Sequence, residues 1–130
     1  MARMARVAAA LALVAAPAAL GCGYCDEDRI AAVYDYGVIG KALERRRAVA
    51  FFALTGPLPA GRESQRVIAR ALAGESAIDP ASLRVSVDAA SLSLAYDGAR
   101  ISPEAIGEGL NARLAASGLR VSLLKVIARR

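Results

Sequence analysis

The chain has 130 residues, of which 56% are hydrophobic and only 5% aromatic, and its formal net charge is +5 at pH 7. This length suits a single domain, and the apolar fraction is too high for an intrinsically disordered chain. The sequence contains no His, which excludes His-based acid–base catalysis, His metal ligands and any Ser-His-Asp or Cys-His arrangement.

The first 21 residues have the composition of an export signal. They include 17 hydrophobic residues, the basic Arg3 and Arg6, and no acidic residue. The apolar run over residues 7–20 is shorter than the roughly 20 residues that a membrane-spanning helix needs. A basic start, a short apolar run and small residues near its end are typical of a secretory signal peptide. We therefore predict a signal peptide over residues 1–21 and export to the periplasm.

The end of this segment is compatible with several kinds of processing. Ala16-Pro17-Ala18 fits an A-x-A cleavage site, and Ala19-Leu20-Gly21 is a second candidate. Ala19-Leu20-Gly21-Cys22 also resembles a bacterial lipobox, in which the Cys is lipidated and becomes the new N-terminus. An uncleaved apolar anchor is a third alternative. Lipidation of Cys22 would make the protein a membrane-anchored lipoprotein, and it would remove the free thiol.

Residues 22–47 predict an N-terminal helix that begins with the motif Cys22-Gly23-Tyr24-Cys25. Apolar residues recur at helical spacing along it: Ile30, Val33, Tyr34, Val38 and Ala42. Acidic residues occupy its first turn, and three arginines at residues 45–47 form a solvated end, as the helix macrodipole favours. Gly37 and Gly40 weaken its middle, so we expect a bend or break there.

Residues 48–130 predict a second unit in which strands and helices alternate. The expected elements are a buried strand over 48–54, a helix over 62–73, strands over 83–87 and 92–96, a helix from Ser102 to Gly118, and a strand over 119–127. Period-2 alternation in the central hairpin predicts one solvent-facing side, which includes Ser91 and Ser93. The order is the ferredoxin-like βαββαβ pattern. We predict an α+β two-layer sandwich whose open sheet face or edge the N-terminal helix covers.

In element order and length, residues 48–127 resemble heavy-metal-associated domains, the small βαββαβ modules of copper chaperones and metal-transporting ATPases. That family carries a Cys-x-x-Cys pair in the loop between its first strand and first helix. Here that loop is residues 55–61 and contains no Cys, whereas the pair Cys22 and Cys25 precedes the domain. The resemblance implies a two-layer fold and the binding of a soft metal ion.

The dithiol is the strongest candidate for chemistry in the sequence. Two thiols three residues apart at a helix start face the same way, and a pair of thiolates suits Cu(I). Cys-x-x-Cys also supports thiol–disulfide exchange, although here it does not follow a strand as in thioredoxin-like folds. In an oxidising compartment the pair could instead close a structural disulfide. Tyr34 and Tyr36 are expected either to line a groove near the dithiol or, for Tyr34, to pack on the sheet.

These observations favour an exported small binding protein whose metal ligands are Cys22 and Cys25, with Cu(I) or another soft metal as its ligand. The alternative is a non-catalytic envelope protein that acts through a protein partner, with structural or lipidated cysteines. We assign no catalytic residues, and a thiol–disulfide oxidoreductase is the least favoured reading. Nucleic acid is not expected as a partner, because the charge runs are short and the protein is predicted to be exported.

Overall fold

A computed structural model describes residues 25–130; the predicted signal peptide and Cys22 lie outside this range. The helices are α1 (Asp26–Ala32), α2 (Tyr36–Glu44), α3 (Arg62–Leu72) and α4 (Pro103–Leu114), and the strands are β1 (Ala48–Thr55), β2 (Arg84–Ser86), β3 (Ser91–Tyr96) and β4 (Arg120–Ile127). Two short 3₁₀ turns, Pro80–Ser82 and Ala115–Ser117, join them.

The four strands form one antiparallel sheet in the order β2-β3-β1-β4. The prediction of a mixed α+β fold with a four-stranded antiparallel sheet is therefore confirmed. From Ala48 onward the helices and strands also follow the predicted order. The run of apolar residues in β1 reflects its central position, because a strand with helices on both of its faces needs no polar side.

The side chains of β1 alternate between two cores, one on each face of the sheet. Phe52 and Leu54 pack in the larger core with Ile68 of α3 and Leu110 of α4. The other face carries a smaller core with six buried members: Val33, Ile39, Ala42, Val49, Phe51 and Ala95. Helices α3 and α4 thus cover one face, and α1 and α2 cover the other. Of the two placements expected for the N-terminal segment, the structure has the one over the open face.

The N-terminal segment forms two helices, so the expected break is present, but its predicted position at the glycines is wrong. The break lies at Val33, Tyr34 and Asp35, and Gly37 and Gly40 are both inside α2. The carboxylate of Asp35 accepts a hydrogen bond from the Val38 N–H at 3.1 Å, which caps the start of α2. A side-chain cap, and not a loss of helix propensity at glycine, sets the position of the break.

The predicted solvent-facing side of the hairpin is also wrong, since every residue of β3 is buried. The Ser91 hydroxyl donates to the Arg29 carbonyl at 2.7 Å, and the Ser93 hydroxyl donates to the Val33 carbonyl at 2.7 Å. The last carbonyls of a helix have no hydrogen-bond donor within the helix. The two serine hydroxyls supply donors to such carbonyls at the end of α1. The polar alternation in β3 therefore marks hydrogen bonding to a helix end and not exposure to water.

We expect Asp35→Ala to lower the stability of the fold in a pH-dependent way. The backbone hydrogen bond from Val38, followed by the hydrogen bond from Arg84, lowers the pKa of the Asp35 carboxyl. A lowered pKa in the folded state stabilises the protein above the ordinary Asp pKa of about 4, and this contribution is lost as pH falls through the lowered value. Urea denaturation at several pH values should show the two proteins converging under acid conditions.

The matched variant Asp35→Asn separates the cap from the charge. Asn keeps a side-chain oxygen for the Val38 N–H but cannot titrate, so it should retain most of the stability near neutral pH. If the difference in unfolding free energy between wild type and Asp35→Ala stayed constant down to pH 2, the Asp35 charge would not contribute to the stability of the folded state.

Candidate functional site

Cys25 lies at the surface, immediately before the first turn of α1. Its backbone is extended, its carbonyl accepts the first helical hydrogen bond from the Arg29 N–H at 3.0 Å, and its side chain does not cap the helix. The residue is exposed and forms no disulfide within the described residues. The thiol is therefore accessible to a ligand or a reagent from solvent.

The nearest polar partner of the thiol is a carboxylate of the same helical turn. Cys25 Sγ donates a hydrogen bond to Asp28 Oδ2 at 3.1 Å. Asp26 and Glu27 are also exposed in this turn, and the Asp26 carboxylate lies 4.0 Å from the Arg29 guanidinium. Acidic residues here stabilise the helix start, and they make the surroundings of the thiol negative. Such surroundings attract cations but oppose a bound complex that carries a negative charge of its own.

The second predicted metal ligand, Cys22, lies outside the described residues, so the pairing of the two thiols stays a prediction. Among residues 25–130, no group of three or more His, Cys, Asp or Glu side chains is placed to hold a metal ion. In that part of the chain Cys25 is the only cysteine. A metal site at this position would therefore depend on Cys22, on a second molecule, or on both.

The hydrogen bonds of β3 determine where the thiol lies relative to the sheet. Because Ser91 binds Arg29 and Ser93 binds Val33, α1 runs in the same direction as β3. Ser91 pairs with Ala53 near the end of β1. The start of α1 therefore points toward the end of the sheet where β1 enters the loop before α3.

Tyr34 and Tyr36 line a groove, and Tyr34 also packs on the sheet, so both expectations for these residues hold in part. The Tyr34 ring stacks on Phe51 at a centroid distance of 6.0 Å and meets the Tyr36 ring edge-on at 4.8 Å. Tyr36 is 83% exposed. The groove has a volume of about 490 Å³ and is also lined by Glu27, Ile30, Ala31 and Lys125. Cys25 is not among its lining residues.

A cleft between α2 and the Pro80–Ser82 turn is a site that the sequence did not indicate. It has a volume of about 410 Å³, and its lining includes Lys41, Arg45, Arg47 and Arg84. From the sequence alone, the arginines at residues 45–47 are expected to form a solvated helix end. The available signal was the spacing of Lys41 and Arg45, which places two cations side by side on one face of a helix.

Comparison with known proteins gives no relative for this chain. No protein-family model, curated protein or solved structure matches it. Over residues 25–130, none of the helices has the length and apolar character needed to span a bilayer.

Proposed function

We propose that the protein is an exported binding protein whose dithiol, Cys22 and Cys25, binds a soft metal ion such as Cu(I). The observation that carries this proposal is the exposed thiol of Cys25 at the start of α1. Two thiolates satisfy Cu(I), which prefers soft sulfur ligands. The sequence contains no His, so its possible soft metal ligands are the two cysteines and two methionines, and both methionines lie within the predicted signal peptide.

The proposal includes a ferredoxin-like fold related to heavy-metal-associated domains. It is supported by the strand order, which read from the other edge of the sheet is β4-β1-β3-β2, the order of a ferredoxin-like sheet. It is also supported by the two helices α3 and α4, which lie on the same face. It is also supported by the start of α1, which points to the sheet end where that family binds metal. In this chain the dithiol would approach that end from the added N-terminal layer.

Anaerobic titration of the reduced protein with Cu(I), against a competing chelator, tests the metal site. We expect the wild-type protein to withdraw Cu(I) from the chelator with a stoichiometry of one ion per chain. Cys22→Ser, Cys25→Ser and the double variant should each lose this ability, because a single thiolate leaves the ion half-coordinated. Equal binding by the double variant would refute the proposal. The intact mass before and after alkylation reports whether Cys22 is lipidated or oxidised.

We expect Asp28→Asn to tighten Cu(I) binding by up to about fivefold, which corresponds to roughly 1 kcal/mol for one exposed charge near the sulfur. Metal binding replaces the thiol proton and so breaks the hydrogen bond to Asp28. It also places a negatively charged complex beside the carboxylate. The same chelator competition measures the change.

Glu108→Gln on α4 is the matched control, since Glu108 is exposed and lies on the helix layer across the sheet from α1 and α2. It removes the same charge away from the thiol and should leave Cu(I) affinity unchanged. Weaker binding by Asp28→Asn would show that the carboxylate assists the site.

The second proposal is a protein that docks an envelope partner without metal chemistry, with structural or lipidated cysteines. The observation that favours it is the exposed Tyr36 ring beside the half-exposed Tyr34. Partner pull-down from the envelope fraction should then be unaffected by Cys22→Ser with Cys25→Ser and reduced by Tyr36→Ser. Loss of the interaction in the cysteine variant would count against this function.

A further inference from the structure

The cleft between α2 and the Pro80–Ser82 turn combines a small-molecule volume with an excess of positive charge. Its volume of about 410 Å³ falls in the range of small-molecule sites. Part of its lining is apolar: Val38, Ala42 and Ala95. Around these residues stand four cationic side chains and two carboxylates. The way those charges are paired decides what the cleft can bind.

Both carboxylates of the cleft are already engaged. Asp35 accepts hydrogen bonds from the Val38 N–H at 3.1 Å and from Arg84 Nε at 3.1 Å. Asp79 accepts from the Ala81 N–H at 3.1 Å. Arg84 is also fixed, because its Nη1 donates to the carbonyls of Ala81 and Leu83. The Asp35–Arg84 pair is thus part of the wall of the cleft and adds no net charge to it.

The three remaining cations have no such partners. Within residues 25–130, Lys41, Arg45 and Arg47 form no ion pair and donate no side-chain hydrogen bond. Lys41 lies in the last turn of α2, and Arg45, four residues later, is the residue that ends this helix. At this spacing the two cationic side chains are neighbours and repel each other. Arg47 also lines a second cavity, of about 500 Å³, with Arg46, Arg129 and Arg130. These three cations stand against one remaining carboxylate, Asp79, whose hydrogen-bond partner is a backbone N–H, so the cleft keeps an excess of positive charge.

We propose that this cleft binds a small ligand that carries two or more anionic groups, of the phosphate or carboxylate class. Guanidinium and ammonium donors bind such groups through charge-assisted hydrogen bonds. A bound dianion would also relieve the repulsion between Lys41 and Arg45. The site is separate from the dithiol, because Arg47 directly precedes β1 whereas Cys25 lies toward the other end of that strand.

Isothermal titration of the purified protein with pyrophosphate and with citrate tests this proposal and identifies the preferred anionic group. We expect saturable binding of at least one of the two probes, at one site per chain. The variant Lys41→Gln with Arg45→Gln should bind that probe about tenfold more weakly or worse, since each lost charge-assisted hydrogen bond is worth at least that factor. Backbone amide shifts at Ala42 and Ala95 should localise the effect.

The matched control is Arg66→Gln with Arg70→Gln on α3, which removes two cations at the same spacing from an exposed surface. Gln is a good helix former in both variants, and circular dichroism checks that both fold. The control should bind the probe as the wild-type protein does. Absence of saturable binding of both probes, or equal weakening in the two variants, would overturn the proposal.

Discussion

Phe52→Ala should destabilise the whole domain, whereas Phe51→Ala should release mainly α1 and α2. These adjacent residues of β1 are both fully buried, but they face opposite sides of the sheet. Removing a buried Phe side chain costs about 3–5 kcal/mol, against a total stability of about 5–15 kcal/mol for a typical domain. We expect the two substitutions to destabilise different parts of the fold.

The difference arises because the two cores differ in size. Phe52 contacts the core that holds α3 and α4 on the sheet, so its loss weakens every element of the βαββαβ unit. Phe51 is the largest member of the smaller core, and its ring also stacks on Tyr34. Without it, the contacts of the N-terminal helices with the sheet are reduced to Val49, Ala95, Leu124 and Ile127. Local opening of such a layer requires less free energy than global unfolding.

Amide hydrogen exchange measures both outcomes in one experiment. In Phe51→Ala the amides of α1 and α2 should lose protection while those of α3 and α4 keep it. In Phe52→Ala protection should fall throughout, and the urea midpoint should drop. Uniform loss of protection in Phe51→Ala would mean that the N-terminal layer is an integral part of one cooperative unit.

Gly56→Ala should destabilise the fold by roughly 3 kcal/mol or more, the sum of backbone strain and a steric clash. Gly56 follows β1 with a φ of +108°, a conformation that L residues rarely adopt. A Cβ at this position would lie 2.3 Å from the Gly118 carbonyl oxygen. That oxygen belongs to the backbone of the turn before β4, which is paired to β1, so it cannot move away without breaking the sheet.

Gly61→Ala is the matched control, because it shares the positive φ without the close approach. Gly61 has a φ of +62°, and a Cβ there would meet no atom within 4 Å. Its cost should come from the backbone conformation alone, about 1–3 kcal/mol, and should be smaller than that of Gly56→Ala. Urea denaturation of the two variants compares these values. Equal destabilisation would show that the contact between the two turns does not constrain the fold.

The combined results bear on the dithiol, because the start of α1 points toward the end of the sheet where these turns meet. If α1 and α2 form a separable layer, Phe51→Ala should lower the hydrogen-exchange protection of these helices. Cu(I) affinity at Cys22 and Cys25 should change less. Two ligands three residues apart need only a local turn to come together. The metal site would then depend on the motif and the basic cleft on the packed structure.

The sequence by itself determined the order of elements from Ala48 onward and most of their positions. These features follow from local rules. Ser102 caps the helix that begins at Pro103, its hydroxyl accepting from the Ala105 N–H at 3.1 Å. Gly118 has a φ of +70° at the end of the turn before β4. The dithiol was equally visible, because its two members are close neighbours in sequence.

Only the tertiary structure decided which part of the sheet the N-terminal segment covers and which polar residues are buried. Asp35 binds Arg84, which lies 49 positions further along the chain, and Ser93 binds a carbonyl 60 positions before it. Such partners cannot be read from periodicity, because a serine that faces water and a serine that faces a helix end have the same spacing. The basic cleft has the same origin: Lys41 of α2 and two arginines that follow this helix supply three cations, and packing against a distant turn makes them line a cavity.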